Sequence, residues 1–300
     1  MTPHVVILAG GDGRRLAPLT RALYGTELPK QFAILSGEKS LLQTTIERAL
    51  ALTDTTRITV VISAHHEPFA RPQLEPYPGV ELLVQPRGLD TGPGMLFPLA
   101  RILAREPGAQ VVFLPSDHHV ADAAPITQAL QAATTVLRHR IALLGVTPTG
   151  PEVEYGWIVR GPRLHGMEAF GVRRFEEKPA QPLADDLWRT GGLWNTFISA
   201  APVRGLWKLA KRHLPHHAKA LEGYARAVDS PRETQALHDA YARMTPANFS
   251  RDVLARAGRL AVVPVSGSGW SDWGSPARVF ASLAGTKNHE RLVERIRLAS

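Results

Sequence analysis

The sequence contains no cysteine, which excludes disulfides, thiolate metal sites and a cysteine nucleophile. It also lacks any run of 18 apolar residues, so we expect no membrane-spanning helix. The first residues, MTPHVVILAGG, have neither the positive segment nor the long apolar run of a signal peptide. We therefore expect a cytoplasmic protein that has no membrane partner.

The charge is moderately basic, with 35 Lys and Arg against 27 Asp and Glu and a net charge of +8. Such an excess either reflects a basic surface without a specific role or favours phosphate-bearing partners. The basic residues are dispersed, and the sequence has no zinc-finger spacing, no RNA-binding aromatic pair and no arginine tail. We therefore expect no nucleic-acid partner, and salt-sensitive DNA or RNA binding would contradict that expectation.

Short apolar runs alternate with longer amphipathic stretches in the first half of the chain. This alternation predicts an α/β fold with a largely parallel sheet and helices on both faces. The predicted strands are Val5–Ala9, Ile58–Ile62, Val80–Val84, Val111–Leu114 and Ile141–Val146. The predicted helices are Leu41–Leu52, Met95–Ala104 and Ile126–Arg138.

The pattern changes after about residue 150, where strands become shorter and helices cluster. We predict strands at Gly156–Arg160, Gly171–Phe175, Phe197–Ala201 and Leu260–Val265. Residues 202–257 are predicted to be mainly helical, with breaks at Pro215, Pro231 and Pro246, and Val279–Leu298 is predicted to be a terminal helix.

The stretch VVILAGGDGRRLAPLT places three glycines and two arginines directly after the first strand. Gly10, Gly11 and Gly13 permit positive φ and a close approach of the backbone to a ligand. Backbone amides at a helix start bind phosphate, and Arg14 and Arg15 add charge-assisted contacts. The alternative is an ordinary tight turn between a strand and a helix.

Two common glycine-rich motifs do not match this stretch. The dinucleotide fingerprint requires a glycine where Leu16 stands, and the P-loop requires a G-K-[ST] sequence that is absent. A dinucleotide-dependent oxidoreductase and a P-loop NTPase are therefore disfavoured.

Eight motifs in order over residues 5–276 resemble those of sugar-1-phosphate nucleotidyltransferases, and the similarity is greatest to bacterial mannose-1-phosphate guanylyltransferases. They are GGDGRRLAPLT, LPKQF, QPRGLDTGPG, PSDHHV, EYGWI, FEEKP, GGLWNTFI and GWSDWGSP. The resemblance implies a Rossmann-like three-layer α/β/α fold with a mixed sheet, of the nucleotide-diphospho-sugar transferase type. It implies one catalytic domain over residues 1–300, without an added isomerase or left-handed β-helix domain. Residues 1–150 would mainly bind nucleotide and residues 151–300 mainly the sugar phosphate.

The implied reaction is attack by a sugar 1-phosphate on the α-phosphorus of a nucleoside triphosphate, assisted by Mg²⁺. Our first choice of substrates is GTP and mannose 1-phosphate, which give GDP-mannose and pyrophosphate. Because the nucleophile is already anionic, positioning and charge neutralisation matter more than a general base. A different nucleotide and sugar pair, or a non-catalytic paralogue that binds nucleotide-sugars, is the alternative. A homodimer is left open.

The resemblance assigns the charge-handling roles to five residues. Arg15 would contact the triphosphate, Lys30 would neutralise its phosphates, and Lys178 would hold the phosphate of the sugar. Asp117 and Asp272 would bind Mg²⁺, a cation that prefers oxygen ligands. Read without the resemblance, Asp117 is a reasonable helix cap, and both lysines are solvated loop residues.

The resemblance also assigns two binding sets. The nucleotide-binding set is Leu8, Ala9, Gly10, Gly11, Gly13, Arg14, Arg15, Lys30, Gln85, Gly88, Asp90 and Thr91. The sugar-phosphate set is Gly156, Glu177, Lys178 and Asn195, in which Gly156 offers backbone while Glu177 and Asn195 bind sugar hydroxyls.

The sequence departs from the family pattern near both sets. Arg14 replaces a small threonine, Leu89 an arginine, Asp90 an asparagine and Phe197 a glycine, and Gly25–Leu28 resembles an insertion before Lys30. These departures leave the charge-handling residues intact and concern the residues that would select the substrates.

Several other residues have a simpler interpretation than a role in the site. An Asp-His-His sequence also occurs in manganese phosphoesterases, but the further aspartate motifs of that family are absent. We expect surface or capping roles for His65, His66, His216 and His217, and packing roles for Trp157, Trp194, Trp270 and Trp273.

Overall fold

A computed structural model describes residues 2–135 and 139–299, and its centre is a nine-stranded sheet. The strands are β1 (His4–Leu8), β2 (Ile58–Ser63), β3 (Glu81–Gln85), β4 (Gln110–Pro115), β5 (Ile141–Val146), β6 (Gly156–Arg163), β7 (Phe170–Glu177), β8 (Leu193–Pro202) and β9 (Leu260–Val265). Every predicted strand is present, with ends that differ by a few residues.

The strand order is β3-β2-β1-β4-β8-β5-β9-β7-β6. Strands β1 to β4 are parallel, as are β5 and β9, whereas β8 runs antiparallel to both of its main neighbours. Strands β6 and β7 form an antiparallel pair at one edge. The sheet is therefore mixed, and it places the carboxyl ends of β1, β2 and β4 side by side, where ligands of such sheets bind.

The described residues form twelve α-helices, most of which cover the two faces of the sheet. They are α1 (Ala17–Tyr24), α2 (Leu41–Leu50), α3 (Glu67–Leu74), α4 (Thr91–Arg105), α5 (Ala124–Thr135), α6 (Gln181–Arg189), α7 (Val203–His213), α8 (Pro215–Ala227), α9 (Glu233–Arg243), α10 (Phe249–Asp252), α11 (Pro276–Leu283) and α12 (Lys287–Ala299). Pro215 stands at the first position of α8, where a proline costs no helical hydrogen bond.

Alternate residues of β1 enter two separate cores. Val6 belongs to the apolar cluster that also contains residues of α4, α7, α8 and α9, whereas Val5 and Ile7 belong to the cluster that contains residues of α2, α5 and α6. This alternation follows from the period of two along a strand, and it produces the three-layer α/β/α arrangement. A third apolar cluster joins α1, α11 and α12 around the buried Trp273.

Two predicted helices have different ends in the structure. The prediction Ile126–Arg138 corresponds to α5 as far as Thr135, and residues 136–138 lie outside the described residues. The single terminal helix Val279–Leu298 is wrong, because the chain breaks between α11 and α12 where Gly285 takes a φ of 74°. A left-handed residue cannot continue an α-helix.

Within the described ranges, no helix combines the length and the apolar character that crossing a membrane requires.

Candidate active site

The glycine-rich loop after β1 is held by side chains that bond its carbonyl oxygens. Gln31 Nε2 donates to Ala9 O at 2.9 Å and to Gly11 O at 2.7 Å. Ser63 Oγ, at the end of β2, donates to Gly10 O at 2.9 Å. With its carbonyls engaged in this way, the loop is fixed while its amides stay free to face a ligand.

Gly13 is the position in this loop where only glycine fits. Its φ is +61°, and an added Cβ would lie 2.9 Å from the Lys30 Cβ. In residues 2–135 and 139–299, no protein group accepts a hydrogen bond from the amides of Gly11 or Gly13. Such unpaired amides next to a helix start form a suitable site for phosphate oxygens.

Lys30 places a buried ammonium group beside this loop. Its side chain is 6% exposed, and Nζ lies 3.0 Å from Asp117 Oδ2. The same Nζ donates to the backbone carbonyls of Asp272 at 2.6 Å and Trp273 at 3.4 Å. Lys30 therefore contacts both of the aspartates to which the sequence assigns a metal.

An antiparallel bridge brings the two aspartate motifs together. His119 N donates to Ser271 O at 2.9 Å, and Ser271 N donates to His119 O at 3.1 Å. The ring of Trp273 stacks on the ring of His119 with centroids 4.2 Å apart. The loops that follow β4 and β9 are thus joined at the residues next to Asp117 and Asp272.

Asp272 is surrounded by donors. Its Oδ1 accepts from Tyr155 Oη at 2.7 Å, from Gly274 N at 2.9 Å and from Arg278 Nη1 at 3.0 Å, and Arg15 Nη2 lies 3.7 Å from Oδ2. Burial alone would raise the pKa of Asp272, but the hydroxyl of Tyr155 and the nearby positive charges outweigh it. The pKa consequently lies below its ordinary value.

Gly274 leaves room for this crowded arrangement. An added Cβ would clash with Asp272 Oδ2 and would lie 2.9 Å from both Arg15 Nη2 and Arg278 Nη1. The glycine of GWSDWGSP therefore lets the backbone pass next to the carboxylate and its arginines.

Asp117 is also ionised at neutral pH. Burial, the largest single influence, raises the pKa of its carboxyl group, but Lys30 and His118 together outweigh burial and hold that pKa below the ordinary value. His118 Nε2 lies 3.6 Å from Asp117 Oδ1, and His118 Nδ1 accepts from Trp270 Nε1 at 3.3 Å. Both carboxylates are thus oxygen donors of the kind that Mg²⁺ prefers.

A cavity of about 270 Å³ opens above the carboxyl ends of the strands. Asp117 and most of the predicted nucleotide-binding residues line this cavity. These lining residues are Leu8, Gly10, Gly11, Gln85, Gly88, Asp90, Thr91 and Asp117. Ala9 is buried and contributes its carbonyl to the loop instead.

A neighbouring cavity of about 280 Å³ contains the basic part of the predicted set. Gly13, Arg14, Arg15 and Lys30 line it, and Asp117 lines both cavities. Arg15 is 58% exposed and bonds Glu154 Oε2 at 3.0 Å, whereas Arg14 is 85% exposed. The two cavities adjoin at Asp117, and the second contains both the free amide of Gly13 and the cations.

Three of the four predicted sugar-phosphate residues meet where β6, β7 and β8 adjoin. Gly156 pairs with Glu177 across the strands, and an added Cβ at Gly156 would lie 2.9 Å from Glu177 Oε2 and 3.4 Å from Asn195 Cβ. Burial raises the pKa of Glu177, although the positive charge of the adjacent Lys178 opposes this shift.

Lys178 is exposed at the end of this strand group, with a φ of 48°. Its backbone amide donates to Tyr155 O at 3.2 Å, while Tyr155 Oη bonds Asp272. Tyr155 therefore connects the predicted sugar-phosphate lysine to the predicted metal ligand.

Asp90 and Phe197, two of the departures from the family pattern, have positive φ values of 65° and 60°. Both line the nucleotide cavity. Phe197 thus keeps the left-handed backbone that a glycine adopts more easily, and its ring adds apolar surface to the cavity.

Sequence reasoning missed Tyr155 and Arg278, which lie against Asp272. Arg278 stacks over the ring of Tyr155 with its guanidinium carbon 4.8 Å from the centroid. Tyr155 stood in a recognised motif, EYGWI, whereas Arg278 resembled an ordinary surface arginine in the first turn of a helix.

The expected surface or capping role is wrong for two of the four histidines. His66 and His217 are buried, and His217 Nε2 contacts Thr245 O at 2.8 Å. His65 and His216 are exposed, as expected. The expected packing role of the four tryptophans is confirmed, since each is at most 8% exposed.

Comparison with known proteins shows which family this chain resembles in sequence and structure. The sequence profile of the family described as Nucleotidyl transferase matches residues 4–287. A crystal structure described as mannose-1-phosphate geranyltransferase from Thermus thermophilus is 30% identical, with a TM-score of 0.83, over 95% of this chain and 80% of that one.

Two curated relatives are longer than this chain. Xanthan biosynthesis protein XanB of Xanthomonas campestris is 34% identical over 285 residues, which are 90% of this chain and 57% of the relative. Mannose-1-phosphate guanylyltransferase of Salmonella montevideo is 31% identical over 283 residues, which are 90% of this chain and 58% of the relative. The chain thus spans somewhat more than half the length of these relatives. The profile match, the structural similarity and the assembled motifs show that the chain belongs to the nucleotidyl transferase family.

Proposed function

We propose that this protein is a sugar-1-phosphate nucleotidyltransferase whose substrates are GTP and mannose 1-phosphate. The observation that carries the proposal is the convergence of Lys30, Asp117 and Asp272 beside a glycine loop with free amides. The named relatives support the choice of GTP and mannose 1-phosphate, because one of them is a mannose-1-phosphate guanylyltransferase.

In this reaction an oxygen of the sugar phosphate attacks the α-phosphorus of the nucleotide. A new P–O bond forms, the bond to the bridging oxygen breaks, and its electron pair leaves with pyrophosphate. Two polyanions must approach each other, so the protein must supply positive charge and fixed donors. The amides of Gly11 and Gly13 would bind phosphate oxygens, while Arg15 and Lys30 would offset the charge that develops on pyrophosphate.

The residues fit a magnesium ion in this reaction. Asp117 and Asp272 both have lowered pKa values, so each offers an ionised carboxylate at neutral pH. A bound Mg²⁺ would neutralise charge between the two phosphate esters. Lys30 and Tyr155 would orient these carboxylates, since one contacts Asp117 and the other donates to Asp272.

The sugar phosphate would lie against β6, β7 and β8. The backbone of Gly156 leaves room for the sugar, and Glu177 and Asn195 would bind its hydroxyl groups. Lys178, which is exposed at the end of β7, would contact its phosphate.

The test is a pyrophosphate-release assay with Mg²⁺, each of the common nucleoside triphosphates and a panel of sugar 1-phosphates. We expect the highest kcat/KM for GTP with mannose 1-phosphate. Turnover with another pair would support sugar-1-phosphate nucleotidyl transfer but refute GTP and mannose 1-phosphate as the substrates. No turnover with any pair would refute the proposed reaction.

A second candidate is a protein that binds nucleotide-sugars without turnover. Asp90 and Phe197 favour it, because both replace the family residue and line the nucleotide cavity. Tight calorimetric binding of GDP-mannose together with no pyrophosphate release would identify this function.

A further inference from the structure

Asp12, His65 and His66 form a cluster outside the proposed reaction centre. Asp12 belongs to the glycine loop after β1, and the two histidines form a 3₁₀ turn directly after β2. His65 Nε2 lies 2.9 Å from Asp12 Oδ1, and His66 Nε2 lies 3.5 Å from the same oxygen. One donor atom from each of the three residues lies within 4.8 Å of the other two.

His66 is the unusual member of this cluster. It is fully buried, and neither ring nitrogen makes a well-aligned hydrogen bond to the protein, since the Asp12 carboxylate oxygen next to it lies 3.5 Å from Nε2. A buried polar group without a good hydrogen bond is destabilising, and a bound ion would satisfy it. Burial lowers the pKa of His66 to about 4, so the ring is neutral and has a lone pair available.

The two separations from the Asp12 oxygen to the histidine nitrogens suit a metal ion. Bonds of about 2.0 Å in a tetrahedron place neighbouring ligand atoms roughly 3.3 Å apart. The Asp12–His66 separation of 3.5 Å is close to this value, and the Asp12–His65 pair at 2.9 Å needs to open only slightly. Two imidazoles and one carboxylate favour the zinc class of divalent ions over Mg²⁺.

We propose that Asp12, His65 and His66 bind one divalent transition-metal ion. His65 and Asp12 are 63% and 41% exposed, so a fourth coordination position is open to water or another small ligand. The guanidinium group of Arg14 contacts Asp12 Oδ2 at 3.2 Å. It therefore leaves Oδ1, the oxygen that faces the two histidines, available to the metal ion.

The ion would connect the glycine loop to the end of β2. Ser63 already bonds Gly10 from that strand, and the metal would add a second connection one residue beyond Gly11. If this loop binds the phosphates of the nucleotide, the metal strengthens nucleotide binding by fixing the loop. That consequence rests on the proposed function, whereas the metal site itself does not.

The direct test is titration of untagged, chelator-treated protein with Co²⁺ in a buffer that contains millimolar Mg²⁺. Mg²⁺ occupies sites made of oxygen alone, and Co²⁺ bound by imidazole gives visible absorption bands. We expect bands that saturate at one Co²⁺ per chain and disappear when Zn²⁺ is added. Absorption no greater than that of Co²⁺ in buffer would overturn the proposal.

Three variants locate the ion. Asp12→Asn and His65→Ala change exposed residues, and each is expected to weaken Co²⁺ binding at least tenfold. His216→Ala is the matched control, because His216 is the exposed member of another adjacent histidine pair. Wild-type Co²⁺ affinity in Asp12→Asn or His65→Ala would show that the ion binds elsewhere, for example at Asp117 and His118, and would refute the site.

The effect on nucleotide binding is measured separately by calorimetry with GTP, with and without Zn²⁺. We expect Zn²⁺ to increase the GTP affinity of the wild type. The GTP affinity of Asp12→Asn should be the same with and without Zn²⁺. Co²⁺ binding without any GTP binding would support the metal site and refute the proposed function, so the two failures are distinguishable.

Discussion

Replacement of Tyr155 by phenylalanine tests the electrostatics of the candidate site with a change of one oxygen atom. The hydroxyl donates to Asp272 Oδ1 at 2.7 Å, and the Asp272 side chain is only 13% exposed. A hydrogen bond to a charged group contributes about 1.5–3 kcal/mol. Because Gly274 and Arg278 still donate to Asp272 in the variant, we expect a loss of about 2 kcal/mol.

That loss converts into a measurable shift of the melting temperature. At roughly 2.1 cal/mol/K per residue, a chain of 300 residues has an unfolding entropy near 0.6 kcal/mol/K. The Tm measured by calorimetry at pH 7.5 should therefore fall by about 3 °C. The pyrophosphate-release rate should also fall, since Asp272 loses one of the donors that orient it.

Tyr241→Phe is the matched control for this experiment. Tyr241 is also buried, but its hydroxyl donates to the neutral amide oxygen of Gln85 at 3.1 Å. A neutral hydrogen bond contributes about 0.5–1.5 kcal/mol, so a smaller fall in Tm is expected. If Tyr155→Phe lowers Tm no more than Tyr241→Phe does, the reasoning about Asp272 is refuted.

Three further predictions concern the same site. Lys30→Met removes the ammonium between the two aspartates and should lower kcat in the pyrophosphate assay at least 100-fold, as is typical when a fixed donor to developing charge is lost; a rate within tenfold of the wild type would contradict its role. Gly274→Ala adds a Cβ that must displace the Asp272 carboxylate and should therefore lower kcat, whereas the control Gly258→Ala, where a Cβ meets open space, should not. Glu177 has a raised pKa in the folded state, so its stabilising contribution is complete below about 4.5 and is lost as pH rises through the folded value. Glu177→Gln should therefore have a higher Tm than the wild type at pH 7.5, with a difference that shrinks towards pH 4.5, and a constant difference would contradict burial as the cause.

The strands and the glycine turn could be predicted because their causes are local. Apolar runs such as Val111–Leu114 are bounded by turn residues, and three glycines after a strand allow few other structures. The terminal helix was wrong because its amphipathic pattern continues past Gly285, and a pattern of side chains does not reveal a positive φ. The surface role predicted for His66 was wrong because its ring packs against Phe32 in the fold. The sequence around an adjacent histidine pair does not indicate which of the two rings is buried.

The assembly of the site could not be derived from local pattern. Asp117 and Asp272 meet because His119 pairs with Ser271 across the fold, and no spacing rule encodes that bridge. Only the resemblance to a known family predicted that the two aspartates share one metal ion. Arg278 follows the Ser275 cap of α11 and resembles a solvated helix residue until the fold places it against Asp272.

The central claim is that Asp117 and Asp272 hold a divalent cation where two phosphate esters meet. The most direct measurement is a crystal structure with GDP-mannose and Mn²⁺, with data collected for the anomalous signal of manganese. We predict an anomalous peak within about 2.3 Å of a carboxylate oxygen of each aspartate, next to the phosphates of the ligand. A bound nucleotide-sugar with no peak at either carboxylate would contradict the claim.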